Sequence, residues 1–348
     1  MKKLIFITNI PTPYQIDFFD RLQTKVEVKV IFLKPFEKNR DWTLPKRQWM
    51  VFLERDVSWT YFKSVLFKFN PDYILIGGYT IKFAFRLFVL GKMRNKKVAY
   101  WLERPFKSKY PKKLLKNIVI GAHLIFAERI YCIGSDAEKF YKKFNKNTTN
   151  LPYSIEHSKY ISKKNYRERN SLHAIRFLFV GQYIERKGVV PLLDAFMKIN
   201  PNDATLTFVG SGELLPVIKN IEKKYPQIEE IGFKDPDQLK EIISNFDVLI
   251  QPSLHDGWAV TIVEAMVSGI PFISTPFVGA AKEFYSTDDK KMVGFLCKPE
   301  PFDIQIAIEK YINNKELLIK HGQNARQVAI DSDAVSKNSV VKFANTLK

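Results

Sequence analysis

Two acidic residues, Asp256 and Glu264, stand eight positions apart where a predicted strand at 248–250 leads into a predicted helix at 260–267. Asp256 falls in a polar turn, whereas Glu264 interrupts an otherwise apolar run. Taken singly, a helix cap and a solvated helix residue would account for them. A carboxylate in an apolar setting needs a polar partner, however, and two carboxylates near a helix start can accept hydrogen bonds from the vicinal hydroxyls of ribose or hexose rings.

Two glycine-bearing loops precede this pair in the chain. The first starts at Gly181 and places Arg186 and Lys187 directly before a predicted helix, where backbone N–H groups and two cations would suit a diphosphate. The second is the GSGE segment that starts at Gly210, predicted to be a tight turn where the backbone can approach a ligand. It lacks the spacing of the dinucleotide-binding pattern GxGxxG. If the strands before the three loops are parallel, the loops meet at one edge of a sheet.

The elements that would position these loops alternate between strand and helix. Predicted strands lie at 4–8, 26–33, 73–76, 97–102, 131–134 and 151–153, and then at 175–180, 205–209, 228–232, 248–250 and 271–274. Ser135 is the predicted N-cap of one helix, and Gly279 lies in a predicted loop after the last strand. The alternation predicts an α/β protein with two doubly wound parallel-sheet domains that face a cleft. We expect them at 1–168 and 169–325, and a C-terminal helix at 326–348 that packs back on the first.

The formal net charge of +19 is distributed unevenly. Residues 1–171 contain 35 Lys and Arg against 14 Asp and Glu, a net charge of +21, whereas the rest of the chain has a net charge of −2. A basic first half indicates an anionic partner, and interleaved aromatic residues favour lipid headgroups over nucleic acid. Nucleic acid is not an expected partner, because no nucleic-acid-binding motif accompanies the charge. A lysine-rich, merely solvated surface is the alternative.

The strongest local signal of this kind is a basic segment after the strand at 97–102. Lysines 107, 109, 112, 113 and 116 are interleaved there with Phe106, Tyr110 and aliphatic residues, a pattern typical of helices that lie in a membrane interface. No stretch reaches about 18 uncharged apolar residues, so no spanning helix is expected. The opening MKKLIFITNI has a short apolar run without a small-residue cleavage site, which indicates a first strand and not a signal peptide.

Cys132 and Cys297 are far apart and form no CxxC pair, so neither a disulfide framework nor a zinc site is expected. Two reduced thiols are typical of a cytoplasmic protein. We expect a cytoplasmic protein that is peripheral on the inner face of the membrane. His123 lies within an apolar run and is expected to be a core histidine.

Four segments of the second half together resemble the retaining glycosyltransferases of family 4: FVGQYIERKGVVPLLDAF, LTFVGSGE, IGFKDPDQL and PSLHDGWAVTIVEAMVSGIPFIST. The resemblance covers about 175–322, while the first half matches in layout and in its NIPTPYQIDFF opening. It implies the GT-B fold and front-face transfer of a hexose-type sugar from a nucleotide diphosphate sugar, with retention and without an obligatory metal or cofactor. UDP is favoured because UDP-sugars are prevalent in the family.

The resemblance also implies roles for individual residues. Glu264 would bind the ribose hydroxyls, Asp256 the hydroxyls of the donor sugar, and Lys187 the diphosphate; with Glu103 on the acceptor side, these are the expected catalytic residues. The other expected donor contacts are Gly181, Arg186 and Gly210, the backbone at Gly257, Trp258, Ala259 and Val260, and Gly232 and Phe233 in the base-binding segment. Arg104 and residues 9–14 are further candidates for acceptor contact.

Two positions depart from the family pattern. Asp256 stands where the family often has glutamate, which leaves open the donor hydroxyl it reaches. Gln182 stands where an arginine is frequent, and Arg186 is expected to assume part of that role. The expected acceptor is a lipid-linked or cell-surface glycan. The alternatives are a soluble transferase with a small acceptor and a non-catalytic protein that binds nucleotide sugars.

Overall fold

The computed structural model describes residues 1–34, 42, 45–52, 59–78, 84–105, 121, 123–160 and 174–347. The chain divides into two compact units. The first unit comprises Met1–Ser154 and Ser336–Lys348, and the second comprises Ile155–Val335. The second unit therefore begins before the predicted boundary at 168, since residues 155–160 already pack within it. The lysine-rich segment 107–116 lies outside the described residues.

A parallel sheet forms the centre of the first unit. Its strands are β1 (Lys3–Thr8), β2 (Glu27–Phe32), β3 (Met50–Phe52), β4 (Tyr73–Ile76), β5 (Lys97–Leu102), β6 (Arg129–Cys132) and β7 (Thr148–Asn150), in the order β3-β2-β1-β4-β5-β6-β7. Every pair of neighbouring strands is parallel. The predicted strand at 151–153 is wrong, because the chain pairs with β6 three residues earlier, at 148–150.

The helices of the first unit cover the apolar faces of this sheet. Among the described residues these include α1 (Pro13–Leu22), α2 (Trp59–Phe69), α3 (Ala84–Met93), α4 (Ser135–Tyr141) and, from the C-terminus, α12 (Ser336–Asn345). Helix α12 packs against α1 through Phe343 and Phe18, whose ring centroids are 5.7 Å apart. The predicted N-cap at Ser135 is wrong, since Ser135 is the first helical residue and Gly134 is the cap.

The second unit is also built on a parallel sheet. Its strands are β8 (Ile175–Gln182), β9 (Ala204–Ser211), β10 (Ile228–Glu230), β11 (Val248–Gln251), β12 (Phe272–Ser274) and β13 (Gly294–Leu296), in the order β10-β9-β8-β11-β12-β13. In both sheets the chain starts in the middle, builds outward to one edge, and then returns to build the other side. That order is the doubly wound arrangement, with a switch point beside the first strand of each unit.

The second unit contains seven helices among its described residues: α5 (Val189–Phe196), α6 (Leu215–Glu222), α7 (Pro236–Ile243), α8 (Val260–Val267), α9 (Gly279–Phe284), α10 (Pro301–Asn313) and α11 (Glu316–Ile330). Strands such as β11 are buried on every residue, which is expected when helices cover both faces of a parallel sheet. The predicted loop at Gly279 is wrong, because Gly279 begins α9. Its place at the helix start matters for the site below.

The predicted pair of doubly wound parallel sheets is confirmed. Each unit has its own apolar core, centred on residues such as Ile74 and Tyr100 in the first and Phe179 and Ile250 in the second. Burying one large apolar side chain contributes about 1.5–3 kcal/mol, so either core is large enough to hold its sheet and helices together. His123 is buried and shares a 2.6 Å hydrogen bond with the Tyr100 hydroxyl, as expected of a core histidine. Among the described residues, no helix is long and apolar enough to cross a membrane.

Candidate functional site

The candidate site lies at the carboxyl ends of β8 and β11, the neighbouring strands at the switch point of the second unit. The chain leaves β8 towards α5 and leaves β11 towards α8, and β9 ends beside β8. Ligands of open α/β sheets bind in the crevice at such a point, because the two connections diverge there to opposite faces. The three loops singled out in the sequence therefore belong to one edge of one sheet.

The loop after β8 is held against the loop after β11 by backbone contacts. Residues Glu185–Lys187 form a short 3₁₀ turn that ends at Gly188, which has a φ of 73°. A Cβ atom on Gly188 would meet the carbonyl oxygen of Pro252 at 2.1 Å, so the close approach requires glycine. Leu254 donates its N–H to the Arg186 carbonyl at 2.9 Å. The Arg186 guanidinium in turn donates to the His255 carbonyl at 2.6 Å. These contacts between the loop after β8 and the loop after β11 are called the first clamp.

This clamp brings the side chains of Lys187 and Asp256 together as an ion pair. Only 13% and 14% of the two side chains are exposed, so solvent screens the pair weakly. Burial by itself would raise the pKa of Asp256, but the charge and hydrogen bond of Lys187 outweigh it and hold the pKa below its ordinary value. Asp256 is thus charged at neutral pH. The pair presents a cation and a carboxylate at the edge where the two loops meet.

A second clamp shapes the turn from Asp256 into α8. Gly279 N–H donates to the Asp256 carbonyl at 3.1 Å, and Ala280 N–H donates to the Trp258 carbonyl at 2.8 Å. A Cβ atom on Gly279 would lie 2.1 Å from the Gly257 carbonyl oxygen, so the start of α9 must be glycine for the turn to fit. Sequence reasoning missed this residue, although a glycine soon after a strand was a visible signal.

In the turn from Asp256 into α8, one residue packs into the core and the next has an unusual backbone conformation. The Trp258 side chain is buried against the Phe284 ring, 6.0 Å between centroids, so only the backbone at this position can face a ligand. Ala259 adopts φ 62° and ψ 80°, the left-handed region that a residue with a Cβ rarely enters. This conformation turns the chain abruptly into α8 at Val260, and the first N–H groups of an α-helix have no acceptor within the helix.

Glu264 lies on the second turn of α8 and is buried, with 8% of the residue exposed. The Tyr160 hydroxyl donates to its carboxylate at 2.7 Å, and the Lys240 ammonium lies 5.8 Å from the centroid of the Tyr160 ring. Burial raises the pKa of Glu264, while the Tyr160 hydrogen bond and the Lys240 charge oppose that rise. The apolar run around Glu264 predicted a polar partner. Sequence reasoning could not identify it as Tyr160, which lies 104 positions earlier in the chain.

The tight turn predicted for the segment that starts at Gly210 begins two residues later, because β9 continues through Gly210 and Ser211 and the turn follows at 212–214. A Cβ atom on Gly210 would lie 1.9 Å from the Gly181 carbonyl oxygen, so this glycine allows two strand ends to approach each other. The surroundings of Gly232 are open by contrast: it has a φ of 77°, and a Cβ atom there would meet nothing within 4 Å. Its N–H donates to the Glu230 carboxylate at 2.7 Å, and Phe233 follows it in the loop after β10.

The expected acceptor-side residues belong to the first unit. Glu103 directly follows β5 and is exposed, and its carbonyl accepts a hydrogen bond from the Tyr141 hydroxyl at 2.9 Å. Arg104 forms an ion pair with Asp136 in the first turn of α4. Residues 9–14 follow β1 and lead into α1, with Pro13 at its first position. All of them therefore lie at the carboxyl edge of the first sheet, Glu103 and Arg104 after β5 and residues 9–14 after β1.

The described part of the chain contains no cluster of three or more His, Cys, Asp or Glu side chains that could hold a metal ion. Cys132 and Cys297 are free thiols.

The sequence of the second unit is similar to a known protein family. Residues 162–328 match the family model described as glycosyl transferases group 1. An uncharacterised glycosyltransferase of Methanocaldococcus jannaschii is 30% identical over 152 residues, 43% of this chain and 42% of that protein. The amylovoran biosynthesis glycosyltransferase AmsK of Erwinia amylovora is 25% identical over 186 residues, 50% of this chain and 43% of that protein. The chain thus spans less than half the length of the curated relatives it matches.

Solved structures resemble the chain over almost its whole length. HepE of Anabaena, in a complex with UDP, has a TM-score of 0.78 at 15% identity, over 100% of this chain and 99% of that protein. Structures of glycosyltransferases are among the similar folds, and the GT-B architecture expected from the sequence is confirmed. The second unit, which carries Lys187, Asp256 and Glu264, is therefore similar to glycosyl transferases group 1 in both sequence and fold.

Proposed function

We propose that this protein is a glycosyltransferase that uses a nucleotide diphosphate sugar as its donor. The observation that carries the proposal is the convergence of a buried Lys187–Asp256 pair, the start of α8 and the buried Glu264 at the switch point of the second unit. A cation and a helix start suit a diphosphate, and carboxylates suit ring hydroxyls. The unit that holds these groups is also the one that matches the family model.

The proposed roles follow the resemblance. Glu264 accepts hydrogen bonds from the ribose hydroxyls, and Asp256 accepts them from the donor sugar. Lys187 and Arg186, with the backbone from Gly257 to Val260, stabilise the diphosphate. The negative charge on the leaving diphosphate grows in the transition state, and a buried cation stabilises it more strongly than an exposed one would. Transfer then proceeds with retention and without an obligatory metal.

The ion pair between Lys187 and Asp256 also affects how the donor is bound. Asp256 already accepts a hydrogen bond from Lys187, so both side chains remain in contact with each other while they bind the donor. Lys187 then bridges the diphosphate and Asp256, and this bridge fixes the carboxylate for the sugar hydroxyls. Asp256 thereby acts both in donor binding and in the placement of Lys187.

UDP is the proposed nucleotide of the donor. A lipid-linked or cell-surface glycan is the proposed acceptor, with Glu103 near the reacting hydroxyl. HepE was solved with UDP, which supports the choice of nucleotide. The similarity to AmsK, an amylovoran biosynthesis glycosyltransferase, and the net charge of +21 in residues 1–171 support a glycan acceptor at an anionic membrane. The protein would then act on the cytoplasmic face as a peripheral enzyme.

A donor screen tests the proposal. Binding and nucleotide release are measured with UDP-, GDP-, TDP- and ADP-sugars, with and without lipid-linked oligosaccharide. We expect one donor class to bind, and its nucleotide to be released faster when acceptor is present. Glu264→Ala should abolish both effects, whereas the control Glu241→Ala, on the exposed side of α7, should leave them unchanged.

The outcomes also separate the alternatives. Binding without release under every condition would indicate a non-catalytic nucleotide-sugar-binding protein. Release stimulated only by small soluble acceptors would replace the lipid-linked acceptor with a soluble one. If no nucleotide sugar binds, the proposal is wrong.

A further inference from the structure

Helix α3 of the first unit exposes an apolar stripe. Phe85, Val89 and Met93 are spaced four residues apart, and 52%, 37% and 78% of their respective surfaces are exposed. Residues at this spacing lie above one another on one side of a helix, about 6 Å apart along its axis. The opposite side of α3 is anchored in the core through Leu87 and Phe88. The stripe is therefore presented by a helix that is firmly held in the fold.

A neighbouring segment extends the stripe. Ile125 and Phe126 are 54% and 67% exposed, and Leu124 beside them is buried in the core. His123 links the two parts, since its ring lies 5.8 Å from the Phe85 ring between centroids. Phe85, Val89, Met93, Ile125 and Phe126 are called the α3 face below. Single exposed apolar residues are common on protein surfaces, but five large ones on two adjoining segments form a patch of the kind that marks an interaction surface.

The charges on α3 and directly after it all have one sign, whereas one exposed carboxylate, Glu128, follows the second segment of the α3 face. Residues 84–97 contain five Lys and Arg and no Asp or Glu. Arg86, Lys92 and Arg94 are exposed. On α3, Arg86 and Lys92 flank the stripe, because they are one position and three positions from its members. Burial keeps the pKa of His123 below its ordinary value, so His123 adds no charge at neutral pH.

An apolar stripe flanked by cations selects among the possible partners. A second copy of the chain, docked stripe to stripe, would bring Arg86 and Lys92 of both copies close together. Nucleic acid would use the cations but leave the apolar side chains exposed to water. An anionic bilayer satisfies both groups at once, because apolar side chains enter the boundary between headgroups and acyl chains while cations meet the lipid phosphates.

We propose that the α3 face is the surface by which this protein docks on an anionic lipid bilayer. The docking rests on the proposed function, since a lipid-linked acceptor requires the enzyme at a membrane. It assigns the contact to specific residues of α3 and of segment 123–126. The lysines at 107–116 lie outside the described residues.

Vesicle co-sedimentation of the full chain tests the docking. The probes are phosphatidylcholine vesicles with and without phosphatidylglycerol, at low and at high salt. The variant Phe85→Ser/Val89→Ser/Met93→Ser should lower the partition coefficient on anionic vesicles about tenfold or more, because it removes three apolar side chains that the bilayer would bury. Arg86→Glu/Lys92→Glu should also lower it about tenfold or more, since each cation near an anionic surface contributes about fivefold. Salt should weaken binding of the wild type.

Two controls localise the effect. Val217→Ser/Phe302→Ser removes exposed apolar side chains of the second unit, and Lys223→Glu/Lys224→Glu reverses exposed charges there. Both should bind vesicles as the wild type does. Hydrogen exchange in peptides covering 84–93 and 123–127 should slow when anionic vesicles are added. All variants change exposed residues, so circular dichroism should show unchanged melting.

The result that overturns the proposal is binding of the α3 variants equal to that of the wild type, or no binding by the wild type. A second overturning result is a wild-type dimer in analytical ultracentrifugation that the serine variant converts to a monomer, since the α3 face would then be buried between two copies. Neither readout uses catalysis. A chain that binds vesicles but transfers no sugar refutes the proposed function alone, and an active chain that ignores vesicles refutes only the docking.

Discussion

Replacing Tyr160 by phenylalanine removes one buried hydroxyl and tests whether Glu264 is a donor-binding carboxylate. In the structure, that hydroxyl donates to Glu264 at 2.7 Å, and both residues are less than a tenth exposed. The variant keeps the ring and its position over α8 but leaves the carboxylate without this donor. A hydrogen bond to a charged group contributes about 1.5–3 kcal/mol. We therefore expect Tyr160→Phe to lower the unfolding free energy by about that amount, a fall in Tm of roughly 4–10 °C for a unit of this size.

The effect on donor binding follows from the pKa of Glu264. Burial already raises this pKa, and the Tyr160 hydrogen bond opposes the rise. Without the hydroxyl, the pKa rises further, so Glu264 becomes protonated at a higher pH. Because ionised Glu264 accepts the ribose hydroxyls in the proposed site, donor affinity should fall by about 10- to 100-fold. The pH at which affinity is half-maximal should also move upward.

Isothermal titration with the donor, repeated across pH, measures both changes. Tyr311→Phe is the matched control, since Tyr311 is another buried tyrosine of the second unit and its hydroxyl bonds to His321 at 3.0 Å, not to Glu264. It should reduce stability without moving the pH dependence of donor affinity. The reasoning is refuted if Tyr160→Phe and Tyr311→Phe have the same donor affinity and pH profile as the wild type while both lose stability.

Three further predictions concern the ion pair, a strand-end glycine and a buried histidine. Asp256→Asn should lower the unfolding free energy by about 3 kcal/mol at pH 7, because Lys187 loses its buried partner. Since the fold depresses the pKa of Asp256, the difference from wild type in denaturant melts should shrink as pH falls below the ordinary value of 3.8; a constant difference would contradict the pairing. Gly210→Ala should cost more than about 3 kcal/mol, because its Cβ would overlap the Gly181 carbonyl, whereas the control Gly232→Ala should cost only about 1–2 kcal/mol for its positive φ; equal Tm losses would show that the strand ends separate easily. Burial, with a lesser effect of Lys320, lowers the pKa of His321 from 6.5 to about 4, while Asp289 opposes the shift. The unfolded chain then takes up a proton that the folded chain refuses, so stability should fall by up to about 3 kcal/mol as pH drops from 6.5 to 4, and His321→Gln should flatten this slope in urea melts.

Much of the fold could be predicted because its elements are encoded locally. Strands such as β4 and β5 have the predicted bounds, since runs of buried residues end at polar positions or glycine. Three predicted boundaries were wrong by a few residues: the helix cap at Ser135, the strand at 151–153 and the loop at Gly279. At those places the end of an element is decided by which neighbouring strand supplies a hydrogen-bond partner, or by which backbone lies close enough to exclude a Cβ.

By itself, the sequence determined the class of fold, the three loops of the second unit and the anomaly of a carboxylate in an apolar helix. These features depend on residue types at short spacing, which are visible in one dimension. Only the tertiary structure decided that Lys187 pairs with Asp256, that Tyr160 serves Glu264, and that Gly279 closes on the turn before α8. Such contacts join residues 69, 104 and about 20 positions apart, and chain folding alone brings them within hydrogen-bonding distance. The physical reason is that desolvation makes a buried charge costly until a partner is found, and the identity of that partner depends on which strands lie side by side.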